Sequence, residues 1–149
     1  EFEAEYKLLS STFPSGIFDI KQFLEGVENL MIELINARNK GDARLILSQI
    51  SPPLLKTLGE VFEKEKSEKV TRKIEILKIE LMEISEFNAF QDGTAKIKVK
   101  ILSQQIRYAK EGENIIEGSL KIPAKFTDFF TVERVLKNKM HSWVLTAIE

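Results

Sequence analysis

The sequence predicts an α+β domain in which N-terminal helices pack on a curved, mostly antiparallel sheet. Three observations predict it. The apolar residues recur with a period near 3.6 from Ile20 to Phe62, and from Val70 the period changes to two. Helices first and strands afterwards is the order of an α+β fold rather than of a parallel α/β sheet. The last stretch, Lys125 to Glu149, is rich in aromatic and β-branched residues and reads as a hairpin that closes a sheet. A strand pair carrying Phe126, Phe129, Phe130 and Trp143 cannot stand alone in water, so a large apolar surface must cover it. With 149 residues the chain makes one domain, residues 18–149, preceded by a segment or short helix at residues 1–17.

In that segment Phe2, Tyr6 and Leu9 stand near helical spacing, and Pro14 and Gly16 break it. Asp19 then caps a long helix with apolar positions Ile20, Phe23, Leu24, Val27, Leu30, Met31, Leu34 and Ile35. Gly41 suits the left-handed residue that ends it. Asp42 starts a short second helix carrying Leu45, Ile46 and Ile50. Ser51-Pro52-Pro53 starts a third, running to about Glu68 with Leu54, Leu55, Leu58, Val61 and Phe62 inward.

From Val70 the strands follow. Ile74 and Ile76 alternate, the phase slips to Leu77, Ile79 and Leu81, and Met82 and Ile84 shift it back. One or two β-bulges in a long bent strand are expected. Gln91-Asp92-Gly93 is a hairpin turn, after which Ala95, Ile97, Val99 and Ile101 return opposite Lys96, Lys98 and Lys100. Ile106 to Ala109, a turn over Lys110 to Asn114, and Ile115 to Ile122 form the next pairing, and Pro123 marks an edge or break. In the final hairpin Lys137-Asn138-Lys139 is the turn. Trp143, Leu145 and Ala147 face one way, and Val144, Thr146 and Ile148 the other. Four or five strands are expected in all.

Composition excludes several function classes. Net charge is -1, from 22 basic and 23 acidic side chains, so no bulk field draws the chain to nucleic acid. Cysteine is absent, which excludes disulfides and thiolate metal sites. No apolar run approaches the ~18 residues of a membrane span, and no secretory signal is visible. The chain does not begin with Met, so an upstream part is expected. No phosphate-binding loop, dinucleotide fingerprint or nucleophile elbow occurs. The one histidine, His141, reads as a turn residue beside Trp143, and no metal or organic cofactor is expected.

Four groups are candidates for a site. Asp128 shares a strand face with Phe126, Phe130 and Val132. It reads either as a pocket acid acting as a general base or as a structural carboxylate bonded to backbone, Arg107 or Arg134. Lys96, Lys98 and Lys100 alternate along a strand, so their ammonium groups line one face at about 7 Å intervals. Arg72 and Lys73 on the neighbouring strand would extend the patch. It suits anionic headgroups, and it also suits a solvated outer face. Phe2, Tyr6 and Leu9 would enter a membrane interface or cap the core. Phe23, Val27, Met31, Phe62, Phe126, Asp128, Phe130 and Trp143 would line a pocket at the mouth of the curved sheet, or form ordinary core.

Three stretches resemble one known family. FDIKQFLEGVENLMIELINARNKGD, Phe18 to Asp42, is similar to its opening long helix, with an Asp cap, a Phe-Leu pair, a small residue and a Lys-Gly-Asp exit. SQQIRYAKEGENIIEG, Ser103 to Gly118, is similar to its strand, charged turn and Glu-Gly return. The C-terminal hairpin carries its Thr-Asp-aromatic-aromatic-Thr core, Thr127 to Thr131, and its Trp-x-Leu ending, Trp143 to Leu145. In this order they resemble the Tim44-like domain, named for a peripheral scaffold of the mitochondrial inner-membrane protein-import motor. The resemblance implies a cone of the nuclear-transport-factor-two-like shape. It implies a peripheral or anchored place at a bacterial or mitochondrial inner membrane, reached through anionic lipid such as cardiolipin. It also implies chaperone or translocase proteins as partners, no enzymatic activity and, in bacterial relatives, an upstream anchor. The competing reading is a small-molecule-binding or isomerase/dehydratase-like enzyme that uses the cone pocket.

Overall fold

A long helix needs a start, a stripe and a stop, and the chain supplies all three. In the computed structural model, which describes residues 19–89, 94–135 and 143–149, α1 spans Ile20–Lys40. The Asp19 carboxylate accepts from the Gln22 backbone N–H at 3.0 Å. Gly41, at φ 66°, ends the helix and donates its N–H to the last turn. Phe23, Val27, Leu30, Met31, Leu34 and Ala37 form the buried stripe. The expected helix before Asp19, the Gln91-Asp92-Gly93 turn and the Lys137-Asn138-Lys139 turn lie outside the described residues.

The short second helix differs from expectation. Ala43–Gln49 is a 3-10 segment kinked at Ile46. Seven residues are too few to recover the cost of an α-helical nucleus. Ile46 is fully buried, while Leu45 is exposed. Ile50 then extends and makes a single parallel bridge to Leu145, and Ser51 N–H donates to the Leu145 carbonyl at 2.9 Å. Helix α2 spans Pro52–Ser67 and buries Phe62, but Val61 is exposed, because the helix lies on the core by a narrow stripe. Ser51 makes no side-chain capping bond.

Among the described residues the sheet has five strands, all antiparallel in their pairings: β1 Val70–Ala89, β2 Thr94–Glu111, β3 Asn114–Gly118, β4 Ala124–Val135 and β5 Val144–Ile148. The spatial order is β1-β2-β4-β5. β3 pairs with Tyr108 to Glu111 of β2 and β4 with Thr94 to Gln105, so β3 and β4 lie end to end along one side of β2.

β1 carries three register shifts against β2, where one or two were expected. Leu77, Glu80 and Ser85 have no cross-strand partner. Each shift falls where two inward apolar residues stand three apart instead of two: Ile76 and Ile79, Ile79 and Met82, Ile84 and Phe87. A bulge absorbs the extra residue and returns the next side chain to the same face. The inward set of β1 is therefore Ile74, Ile76, Ile79, Met82, Ile84 and Phe87. Leu77 and Leu81, expected with it, are exposed. The same device operates in β5. The shift between Thr131 and Val132 leaves Thr146 over, so Ile148 packs against the core as Leu145 does. The sequence alternation alone put Ile148 on the opposite face.

The inner face of β2 is Ala95, Ile97, Val99 and Ile101, all fully buried, against Phe130 and Val132 of β4 and the stripe of α1. Trp143, half-buried, meets Phe23 edge-on at 5.0 Å between ring centres. The free edge of β1 is occupied by a side chain. The Asn39 amide donates to the Ile74 carbonyl at 2.9 Å and accepts from the Ile74 N–H at 2.8 Å. It supplies the two bonds a further strand would have made.

Two expected outcomes test this packing. Phe130→Ala, at a position 3% exposed, should lower the unfolding free energy by about 3–5 kcal/mol in denaturant melts. A loss below ~1 kcal/mol would contradict the burial of that ring. Gly118→Ala should destabilise by more than ~1 kcal/mol. The residue has φ 72°, and a Cβ there would lie 1.9 Å from the Arg107 carbonyl oxygen. Thermal melts that coincide with those of the parent would refute it.

Candidate functional site

The curvature of the sheet leaves a cleft of about 270 Å³ between its inner face and the two helices. Met31, Leu34 and Ile35 of α1, Leu58 and Phe62 of α2, and Phe130 and Ile148 of the sheet give it apolar walls. Its polar lining is Arg38, Arg107 and Asp128. Of the residues expected to line a pocket, Met31, Phe62, Asp128 and Phe130 do so. Phe23 and Val27 are core, Trp143 packs against that core, and Phe126 lies under the Arg107 guanidinium at 3.8 Å.

At the cleft the inner face of β2 turns polar. Ser103 and Gln105 are buried, and Gln105 Nε2 donates to Ser103 Oγ at 2.7 Å. Arg107 Nε donates to Gln105 Oε1 at 2.7 Å, and Arg107 Nη2 donates to both oxygens of Asp128, at 3.1 and 3.4 Å. The ladder Ser103–Gln105–Arg107–Asp128 thus satisfies its own buried groups, as buried polar groups require. Of the two readings of Asp128, this is the geometry of a carboxylate held by Arg107. A proton-abstracting base needs a lone pair aimed at substrate.

A second network closes the rim. Arg38 pairs with Glu65, and its guanidinium stacks on Phe62 at 4.9 Å. Arg72 Nε donates to Glu65 at 2.5 Å, while its Nη1 and Nη2 donate to Glu117 at 2.5 and 3.1 Å. Four side chains thereby join α1, α2, β1 and β3. The Glu117 bonds hold Arg72 above its ordinary range, and the Arg72 bond holds Glu117 below the usual carboxylate range.

The outer face carries the lysine row. Cross-strand neighbours share a face. Lys100 stands between Glu83 and Phe129, Lys98 between Glu86 and Thr131, and Lys96 between Asn88 and Glu133. Lys98 Nζ lies 3.2 Å from the Glu149 carboxylate and 5.1 Å from the centre of the Phe129 ring. The structure keeps the three lysines together but does not bring Arg72 and Lys73 to them. Arg72 pairs with Ala109, about 30 Å along β2 from Lys100. Lys73 reaches over the sheet edge to the Asn39 carbonyl at 2.6 Å. Phe2, Tyr6, Leu9 and His141 lie outside the described residues. Among the described residues no cluster of His, Cys, Asp or Glu could hold a metal ion. None of the described helices is long and apolar enough to cross a membrane.

The sequence model of the Tim44-like domain matches residues 15–149. This chain belongs to the Tim44-like domain family. The crystal structure of the intermembrane space region of the chloroplast protein ARC6 superposes with a TM-score of 0.57 at 12% identity, over 84% of this chain and 93% of that one. At that identity the likeness is one of fold: helices followed by a curved antiparallel sheet, the nuclear-transport-factor-two-like α+β arrangement. No curated protein matches the chain in sequence. Tim44-like domains are membrane-associated scaffolds of protein transport and are generally not enzymes.

Sequence reading offered Arg107 as a partner of Asp128 but missed Ser103 and Gln105, the rest of the polar ladder of this Tim44-like domain, although their signal was present. The inward alternation Ala95, Ile97, Val99, Ile101 runs on without a phase change into Ser103, Gln105 and Arg107. The rim network left no such signal, since Arg38, Glu65, Arg72 and Glu117 come from four separate elements.

Stability should depend on pH through the rim. Because Glu117 is depressed below its ordinary 4.5 on folding, its pairing is fully present above that pH. It is lost as pH falls through the folded value. Glu117→Gln should therefore flatten the acid limb of the melting-temperature profile, read by circular dichroism from neutral pH to about pH 3. An acid limb as steep in the variant as in the parent would exclude the pair as a source of that dependence.

Proposed function

We propose that this domain is a non-enzymatic scaffold module that holds protein partners, of the chaperone or translocase kind, at an anionic-lipid membrane. A bacterial or mitochondrial inner membrane, with cardiolipin among its lipids, is the setting the family resemblance favours. The observation that carries the reading is the family match along residues 15–149, which covers every described element of the fold. The cleft supports it from the chemical side. Its three polar lining residues are each in an ion pair, Arg38 with Glu65 and Arg107 with Asp128. That leaves apolar walls suited to holding rather than reacting. The alternative, a small-molecule-binding or isomerase/dehydratase-like pocket, would require one of those pairs to open.

For lipid contact we propose the row Lys96, Lys98 and Lys100, with Phe2, Tyr6 and Leu9 as a second, apolar contact. Arg72 and Lys73, first grouped with the row, are engaged elsewhere. Three lysines contribute at most ~3 kcal/mol near an anionic surface. Glu83, Glu86, Glu133 and Glu149 around them reduce that further, so contact through the row is weak and salt-sensitive. Liposome co-sedimentation tests this. The parent should pellet more with cardiolipin-containing than with neutral vesicles, less at high salt, and the triple Lys→Glu variant should lose the preference. A variant that pellets as well as the parent would reduce the row to a solvated face.

A further inference from the structure

Four of the ten exposed large apolar residues among those described fall within eight consecutive positions: Ile115, Ile116, Leu120 and Ile122. Single exposed aliphatics are ordinary on a protein surface, whereas a cluster on one projecting element marks a contact. Leu120 and Ile122 are 43% and 72% exposed. They stand on the connection between the end-to-end strands β3 and β4, which leaves the line of the sheet at Gly118 and rejoins it at Ala124.

This connection is built, not slack. Gly118 lies so close on β2 that no side chain fits there. Ser119 N–H donates to the Arg107 carbonyl at 3.1 Å. Ser119 Oγ accepts from the backbone N–H of Lys121 and of Ile122, at 3.2 and 3.0 Å. A turn fixed at its root by these bonds presents Leu120 and Ile122 outward with Lys121 between them.

The charge around the turn selects the partner. Lys121 lies within it and Lys125 follows, its side chain 76% exposed and its Nζ 3.9 Å from the Glu80 carboxylate, a long pair that solvent weakens. The nearest acid on the β3 side, Glu117, is taken up by Arg72. Glu111 and Glu113 sit at the other end of β3, about 17 Å away. Two exposed aliphatics flanked by lysines on a hydrogen-bonded turn match the boundary between acyl chains and anionic headgroups. There the apolar tips bury while the long lysine stems carry their charge to the phosphates.

We propose that the Gly118–Ile122 turn is a membrane-inserting loop: Leu120 and Ile122 enter an anionic bilayer while Lys121 and Lys125 meet its phosphates. This rests on the membrane reading above and supplies the apolar second contact that weak electrostatic binding needs. It places that contact on a part of the chain distinct from the lysine row and from the N-terminal segment.

The chain has no cysteine, so Ile122→Cys carries one environment-sensitive fluorophore at the turn, and Lys96→Cys one on the row. With vesicles of phosphatidylcholine and phosphatidylglycerol, the label at 122 should shift to the blue and brighten. Lipid-borne quenchers in the acyl region should quench it. The unlabelled Leu120→Ser/Ile122→Ser pair, with far-UV circular dichroism unchanged, should bind about ten-fold or more weakly than the parent. If the protein sediments with these vesicles while the label at 122 does not move, the loop proposal fails and the membrane reading stands. If only the label at 96 responds, the row is the contact and the loop is not. If the protein sediments with no vesicle, both fail.

Discussion

The fold depends on making a long strand bend. Helix α1 has 21 residues, a rod of roughly 30 Å, and its buried stripe needs a sheet that curves around it. A regular strand of 20 residues, the length of β1, would run on past the helix and turn half its apolar side chains outward. The unpaired residues Leu77, Glu80 and Ser85 prevent this. Each inserts a local kink, raises the twist and resets the face, so that Ile76, Ile79, Met82, Ile84 and Phe87 all point at the helices. The cleft follows from the same bend. Where the sheet curls away from α2, close packing between the layers fails, and a gap of about 270 Å³ remains between Phe62 and Phe130.

Such a gap would be a weakness if its polar walls were unsatisfied. Here the ladder from Ser103 to Asp128 joins these side chains to one another by hydrogen bonds within the sheet. The rim network of Arg38, Glu65, Arg72 and Glu117 ties both helices to two strands. The edges are closed in the same economical way. Asn39 pairs with Ile74 on β1, and the Ile50–Ser51 link pairs with Leu145 on β5. Each outer strand is thus met at one point, Ile74 or Leu145, by the chain's own helical half, a local block to strand addition there.

For function, the consequence is a cleft and rim whose charged groups are paired with one another. A transport scaffold needs that property, since it holds partners by surfaces and not by reactive groups. Among the features facing outward are the lysine row, whose acidic neighbours mute it, and the Gly118–Ile122 turn with the exposed Leu120 and Ile122. The motifs by which the family is recognisable are structural for the same reason. Asp19 caps α1, Gly41 ends it, Glu117 anchors Arg72, Gly118 permits close approach, and Asp128 receives Arg107.

The sequence by itself determined the class of fold, the bounds of α1 and the family, but not the strand order, nor that β2 runs unbroken over Thr94–Glu111 and β3 stops at Gly118 instead of reaching Ile122. The features it determined are written in local terms: caps, periods and turn residues act over a few positions. It also placed three lysines on one face, because alternation along a single strand is a local property. Tertiary structure alone decided the rest. Whether Ile148 or Leu81 faces inward depends on bulges, and a bulge exists only relative to a partner strand. The second helix became a 3-10 segment because its few residues answer to the burial of Ile46 and the pairing of Ile50, not to helix propensity. Arg72 and Lys73 stand apart from the lysine patch because the register sets them against Ala109 and Tyr108, beside Glu65, Glu117 and Asn39. Asp128 was legible as a candidate, but its role depended on which charge the sheet register set beside it.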